Sequence, residues 1–255
     1  LIGGMIRWVL HLIWLVFSRA ALAGAVVLGL AVFYIYMTLP PFSDLLDGRA
    51  RGSVTLTDRD GAVFAWRGEQ FGGQITADTV SPHLRNAIIA TEDKRFFKHL
   101  GVSPRGIASA VKINLAAGRG PLSGNGGSTL TQQTAKLLCL GVPFDPKAWK
   151  SQTEYEADCR EGSVVRKAKE AVYAMAMEAR YSKNEILSIY MNRAFLGSGA
   201  NGFEAASQRY FGKSAAQVNI AEAAMLAGLL KAPTRYAPTN NIERSRERAG
   251  IVLLL

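Results

Sequence analysis

Ala90-Thr91-Glu92-Asp93-Lys94-Arg95-Phe96-Phe97-Lys98-His99-Leu100-Gly101 sets a carboxylate pair at the end of the apolar run Ala87-Ile88-Ile89-Ala90, among cations and aromatics. Upstream, Ser81-Pro82 opens the helix that this run closes, with a capping hydroxyl before proline at the first helical position. Ser103-Pro104 opens the next helix in the same way. Capping boxes, in which a hydroxyl caps an amide three residues on and a Glu or Gln reaches back, are expected at Thr129/Gln132, Ser182/Glu185 and Ser214/Gln217. From Ser81 onward the chain therefore reads as mainly α-helical. The polar, glycine-rich stretch Gly118 to Gly127 reads as a mobile segment or one that closes over a ligand.

Working back from that block, Val54 to Thr57 and Val63 to Trp66 alternate on either side of Asp60-Gly61, which predicts a small N-terminal β-hairpin. Residues 44–52, after Pro40-Pro41, read as a linker. Residues 1–43 read as a membrane segment. No charged side chain occurs from Ala20 to Ser43, and a helix over Ala20 to Met37 would be roughly 27 Å long, close to the hydrocarbon thickness. One transmembrane helix over about 20–38 is expected, with Trp8, Trp14, Tyr34 and Tyr36 as interfacial aromatics. A cleaved signal peptide ending at Ala21-Leu22-Ala23 competes with this, but a second apolar run directly follows, which favours an anchor. Arg7 and Arg19 before the span are matched by Arg49 and Arg51 after it, so the positive-inside rule leaves orientation open.

The 255 residues suit one domain of about 150–200 residues plus an appendage. The chain starts at Leu1 and stops in the apolar run Ile251 to Leu255, as expected of a fragment cut at both ends. A net charge of +10 suits an anionic partner. Without an RNA-binding signature, zinc-ligand spacing or basic helix repeat, nucleic acid is the weakest choice of partner. Cys139 and Cys159 are either two buried thiols or a disulfide in an oxidising compartment, closing a loop of about 20 residues worth ~3 kcal/mol in chain-entropy terms.

Four co-linear segments carry a resemblance. Glu92 to Gly101 has the pattern E-D-x-x-F-x-x-H-x-G, Gly127-Ser128-Thr129-Leu130-Thr131-Gln132-Gln133 follows, then Arg166-Lys167-Ala168-Lys169-Glu170, then Ile186 to Asn192. In order and spacing these are similar to the signatures of the peptidoglycan glycosyltransferases (glycosyltransferase family 51), the polymerase module of class A penicillin-binding proteins. The likeness runs from about Leu56 to the C-terminus. The chain departs from the pattern at Leu137, where the family often has Asn, and in the long interval from Cys139 to Val165.

The resemblance implies a lysozyme-like α+β domain at residues 53–255, anchored by one transmembrane helix on the outer face of the bacterial cytoplasmic membrane. It implies inverting polymerisation of lipid II into β-1,4 glycan strands with Mg²⁺ or Mn²⁺. Lipid II, the nascent strand, other wall-synthesis proteins and a following transpeptidase domain are the expected partners. Displacing a diphosphate from C1 needs a base for the acceptor hydroxyl and cations for the leaving group. Glu92, at the end of an apolar run that would raise its pKa, fits the base. Glu170, one turn from Arg166 and beside Lys167 and Lys169, fits the diphosphate end and is the expected divalent-ion ligand.

The resemblance further makes Asp93, Lys94, Ser128, Thr129, Gln132, Gln133, Lys136, Arg166, Lys167, Tyr190 and Asn192 substrate-binding residues. Plainer readings stand beside these. Asp93 stabilises a turn equally well, and His99 reads as a packed, hydrogen-bonded histidine. Phe96 and Phe97 read as core and pocket wall. Ser128, Thr129 and Thr131 are helix caps by default, Tyr190 is a packing aromatic and Asn192 a helix terminator. A lysozyme-like glycan-cleaving enzyme and a non-catalytic membrane scaffold are the rival functions, and the Arg166–Glu170 cluster argues against the first because a neutral glycan offers no diphosphate.

Overall fold

The computed structural model describes residues 2–46, 54–59, 63–67, 70–121, 123–124 and 126–255. It opens with one unbroken helix, α1 (Ile2–Thr38), of which Arg7–Thr38 is long and apolar enough to cross a membrane. The helix starts well before the expected residue 20, because no proline interrupts the run from Trp8 and Arg19 is a lone charge within it. Pro40 and Pro41 end it, since a residue before proline is pushed out of the helical region.

The last turns of α1 are docked rather than free. Leu39 is buried in the domain core, with Val32, Ile35 and Tyr36 packed against it. The Arg180 guanidinium lies 5.3 Å from the centre of the Tyr36 ring, and the Tyr181 hydroxyl donates to the Pro40 carbonyl at 2.5 Å. The expected linker also begins as structure. Helix α2 (Phe42–Leu46) buries Leu45 and Leu46, while residues 47–52 lie outside the described residues.

Strand β1 (Val54–Thr57) pairs antiparallel with β2 (Val63–Arg67), with Val54 opposite Arg67. The Asp60-Gly61 turn lies outside the described residues. Strand β3 (Gln70–Phe71) pairs in parallel with β4 (Ala200–Asn201). The remainder is helical: α3 (Pro82–Glu92), α4 (Pro104–Ala116), α5 (Leu130–Leu137), α6 (Gln152–Arg160), α7 (Val164–Arg180), α8 (Lys183–Arg193), α9 (Phe203–Phe211), α10 (Ile220–Leu229), α11 (Pro233–Tyr236) and α12 (Ile242–Leu253).

Two of the three expected capping boxes form, at Thr129/Gln132 and Ser182/Glu185, and Ser103 caps α4 through the Gly106 amide. Ser81 holds the N-cap position of α3 without a side-chain bond. The box expected at Ser214/Gln217 does not start a helix. Glu204 takes both the Ser214 hydroxyl and the Ala215 amide, making a turn, and the box lies five residues later at Asn219/Glu222, opening α10.

Helix α8 is the centre of the domain. Every residue from Ile186 to Asn192 is buried, with α5, α7 and α9 packed around it. Two polar residues survive there because each is satisfied. Ser188 accepts from the Ala77 amide and donates to the Asn184 carbonyl. Asn192 accepts from the Ile75 amide at 3.1 Å and donates to the Ile75 and Ser188 carbonyls at 2.6 and 2.7 Å. These bonds fasten the extended segment before α3, and so fix where α3 ends.

Candidate active site

The acid pair splits at the end of α3. Asp93 caps the helix, its amide donating to the Ile89 carbonyl. Its carboxylate accepts from the Leu130 amide at 3.0 Å, in the first turn of α5, and from His99 Nε2 at 2.8 Å. A carboxylate at a helix N-terminus gains from the unpaired amides there. Asp93 therefore ties α3, the Phe96–Lys98 turn and α5 together, as the plainer reading had it. His99 is the packed, hydrogen-bonded histidine expected.

Glu92 turns the other way. Its carboxylate accepts from Gln133 Nε2 at 2.7 Å, and the Tyr190 hydroxyl donates to Gln133 Oε1 at 3.4 Å. The Thr129/Gln132 box sets the start of α5, which places Gln133 on the face toward α3. Burial pushes the Glu92 carboxyl above its ordinary 4.5, the Gln133 hydrogen bond and the more distant Arg248 and Lys231 charges pulling the other way. Burial also holds Tyr190 well above the usual tyrosine value, so it stays a neutral donor.

Glu170 has opposite company. Ser163 caps α7, and in its first two turns Arg166 Nη1 and Lys167 Nζ reach the two oxygens of Glu170 at 2.5 and 2.7 Å. Glu170 is 1% exposed, whereas Lys167 keeps half its side chain in solvent. Lys167 Nζ also donates to Ser128 Oγ at 3.0 Å, which joins the second and third sequence segments.

These groups enclose a cavity of about 550 Å³. Ser128, Gln132, Gln133, Lys136, Lys167, Glu170 and Tyr190 form its wall, Glu92 meets it through Gln133, and Arg166 through Glu170. Six expected residues are not in that wall: Glu92 and Arg166, which meet it through a neighbour, and four that do other work. Asp93 is committed as described, Lys94 is exposed, and Asn192 fastens Ile75. Thr129 caps α5 and donates to the Gly101 carbonyl. Phe96 is core as expected, but Phe97 is 56% exposed rather than a wall.

The sequence reading missed Arg193 and Glu156, both in the wall. Arg193 follows the fourth segment directly, three residues after Tyr190, a spacing that puts both on one helix face. Glu156 lies in the long interval after Cys139 and carries no motif signal. Cys139 and Cys159 are joined as a disulfide. Asn114 bonds to the Pro121 carbonyl, and a Cβ at Gly127 would sit 2.7 Å from the Ile107 Cα, so the glycine-rich stretch is tied down at these two points.

Glu170 as a ligand for a divalent ion does not fit this donor set. Both its oxygens already face cations, and among the described residues no group of three or more His, Cys, Asp or Glu side chains comes together to hold a metal. The cavity offers instead the neutral donor of a desolvated carboxylate that lies just behind its wall and, in the wall itself, a cation cluster organised by a buried acid. That combination suits proton abstraction next to an anionic group.

The family described as Transglycosylase matches residues 60–254, and the chain belongs to that family. Among curated relatives, Penicillin-binding protein 1A of Aquifex aeolicus is 37% identical over 90% of this chain and 29% of its own length. Penicillin-binding protein 1A of Escherichia coli K12 is 36% identical over 86% of this chain and 23% of its own. The chain thus spans less than a third of the length of either relative. A crystal structure of Penicillin-Binding Protein 1A from Haemophilus influenzae aligns over 79% of this chain and 18% of that one, at 22% identity and a TM-score of 0.37, too slight a likeness to inform the fold.

Proposed function

We propose that this domain polymerises lipid II into β-1,4-linked glycan strands by inverting transfer, releasing the polyprenyl diphosphate carrier. The observation that carries this is the contrast beside one cavity between Glu92, desolvated and bonded to the neutral amide of the wall residue Gln133, and Glu170, in the wall and clamped by two cations. Glu92 takes the proton of the acceptor's 4-hydroxyl. That oxygen bonds to C1 of the donor as the C1–O bond to the diphosphate breaks, and the electron pair leaves on the diphosphate. Lys167, Lys136 and Arg166 stabilise the charge that develops there, with Glu170 holding Arg166 and Lys167 in place. Gln133 orients the Glu92 carboxylate, and Tyr190 orients Gln133. A divalent ion, on this reading, enters with the substrate's diphosphate and not as a resident of Glu170.

The same reading takes residues 53–255 as a lysozyme-like α+β domain, with β1 and β2 closing as a hairpin through Asp60-Gly61. It takes residues 1–43 as a single-pass anchor and 44–52 as the connection. The domain lies on the outer face of the bacterial cytoplasmic membrane, where lipid-tailed donor and acceptor both stay in the bilayer. A transpeptidase domain beyond residue 255 and other wall-synthesis proteins are its expected partners. The test is fluorescent lipid II given to the purified chain in detergent with a divalent ion. Lengthening chains support polymerisation, and shortening of preformed glycan would favour a hydrolase. No change in either substrate would favour a scaffold.

A further inference from the structure

We infer that the Cys139–Cys159 disulfide is a positioning device for the diphosphate end of the cavity, acting through Arg166. This rests on the polymerase reading above and adds residues that no sequence segment marks. The loop it closes leaves the end of α5 through a sharp turn. Cys139 and Leu140 both adopt left-handed backbone, at φ of 50° and 55°, and Gly141 follows at 76°. Non-glycine residues enter that region only when their surroundings hold them there. The loop has a small aromatic core of its own, with Tyr155 edge-on to Phe144 and Trp149 at 5.8 and 5.1 Å between ring centres. It is thus a built unit, and the cross-link brings its returning end, on α6, back to the end of α5.

That returning end enters the site. Cys139, Cys159 and Glu156 all lie in the wall of the cavity. The Cys159 carbonyl, in the last turn of α6, accepts from Arg166 Nη1 at 3.1 Å, and the same nitrogen donates to Glu170 Oε1 at 2.5 Å. A cation at the carbonyl end of a helix is favoured by the helix dipole. Among the described residues these are the two acceptors of the guanidinium, and its buried Nε meets none. The direction of Arg166 is therefore set on one side by Glu170 and on the other by the residue the disulfide fixes. Opening the cross-link removes the covalent tie at Cys159 itself, leaving α6 held one turn away by Tyr155, whose hydroxyl donates to the Val142 carbonyl, and by the short connection to α7, so that Arg166 loses a fixed point.

The experiment measures steady-state kinetics on lipid II for the full chain, the Cys139→Ser/Cys159→Ser variant, Arg166→Ala, and the combination of all three. Misplacing a charge-stabilising group by about 1 Å costs on the order of 10- to 100-fold, so kcat should fall about tenfold in the cysteine variant with KM within about twofold. In the Arg166→Ala background, removing the cross-link should cost less than about twofold more, because the two act along one path. A stabilising staple with no positioning role gives losses that multiply. Multiplying losses, or a folded cysteine variant with near-normal kcat, overturn the inference. If the serine variant does not fold, the folded wild-type chain is reduced with a dithiol below its melting temperature. The dithiol passes two electrons and two protons to the cystine and becomes its own cyclic disulfide, and the same two comparisons are read. A wild-type chain inert on lipid II defeats the functional reading itself, whereas an active one with indifferent cysteine variants defeats only the positioning role.

Discussion

Glu92 and Glu170 are both withdrawn from solvent beside one cavity, yet their surroundings are opposite. Glu92 ends an apolar helix and has one neutral donor, Gln133. Glu170 lies in the second turn of a helix and holds a guanidinium and an ammonium. Burial alone therefore assigns no role to an acid. A neutral neighbour leaves the cost of desolvation standing, and the carboxylate becomes a better base. Cationic neighbours offset that cost, and the carboxylate becomes a frame for positive charge.

The contrast breaks first, and most severely, at Glu92. Glu92→Gln keeps shape and hydrogen-bonding reach but removes the base, so lipid II turnover should fall by ~10²- to 10⁴-fold with the fold unchanged by circular dichroism. Near-normal turnover would move the base elsewhere. Asp93 is a poor substitute, because its carboxylate is held by the Leu130 amide and His99.

Glu170→Gln should cost less, about 10- to 100-fold in turnover, by releasing Arg166 and Lys167 from their set positions. It should also lower stability by about 2–3 kcal/mol in denaturant titration, short of the ~3–5 kcal/mol of a fully buried pair because Lys167 is half exposed. A Mg²⁺ titration sharpens the comparison. With both oxygens of Glu170 facing cations, the defect should not respond to metal, and rescue by Mg²⁺ would restore the acid as an ion ligand.

Smaller again is the effect of Gln133→Leu, which removes the hydrogen bond that lowers the Glu92 carboxyl and so lets burial raise it further. The base works ionised, so the acidic limb of the rate profile should move to higher pH. Turnover at pH 7 should fall by up to about tenfold, as for one charge-assisted hydrogen bond of ~1.5 kcal/mol. A limb that stays in place would separate Gln133 from Glu92.

The smallest effect is on stability. A carboxyl raised by folding favours the protonated form, so its contribution is full below 4.5 and is lost as pH rises through the raised folded value. Glu92→Gln cannot ionise and escapes that loss. Its melting temperature should exceed that of the wild-type chain at neutral pH and converge with it below pH 4.5. A variant less stable at neutral pH would contradict the desolvated reading of Glu92.

Much of this was legible because local rules and site chemistry coincide. The boxes at Thr129/Gln132 and Ser182/Glu185 are readable from spacing alone, and so is the Arg166–Glu170 pair one turn apart. Asp93 and Asn192 were not separable from ligand-binding residues, since a polar side chain that satisfies buried backbone looks the same in sequence as one that meets a substrate. Their partners, Leu130 and Ile75, are 37 and 117 residues away. Ser214/Gln217 misled for the same reason: Glu204, ten residues upstream of Ser214, competes for the hydroxyl. The expected span begins at residue 20 because Arg19 looks like a boundary in a charge count, although the helix itself continues through it.

The docking of α1 into the domain has one more consequence. A tether of flexible chain would let a catalytic head sample a hemisphere of orientations. Here Val32, Ile35, Tyr36 and Leu39 leave no joint between helix and body, so the cavity keeps one heading relative to the helix axis. If α1 spans a bilayer as proposed, its apolar stretch Arg7–Thr38, ~48 Å long, exceeds the ~30 Å of hydrocarbon, and tilting is the ordinary response to such excess. The angle of the cavity mouth then follows the thickness of the lipid around it, which makes membrane composition a mechanical input to this active site.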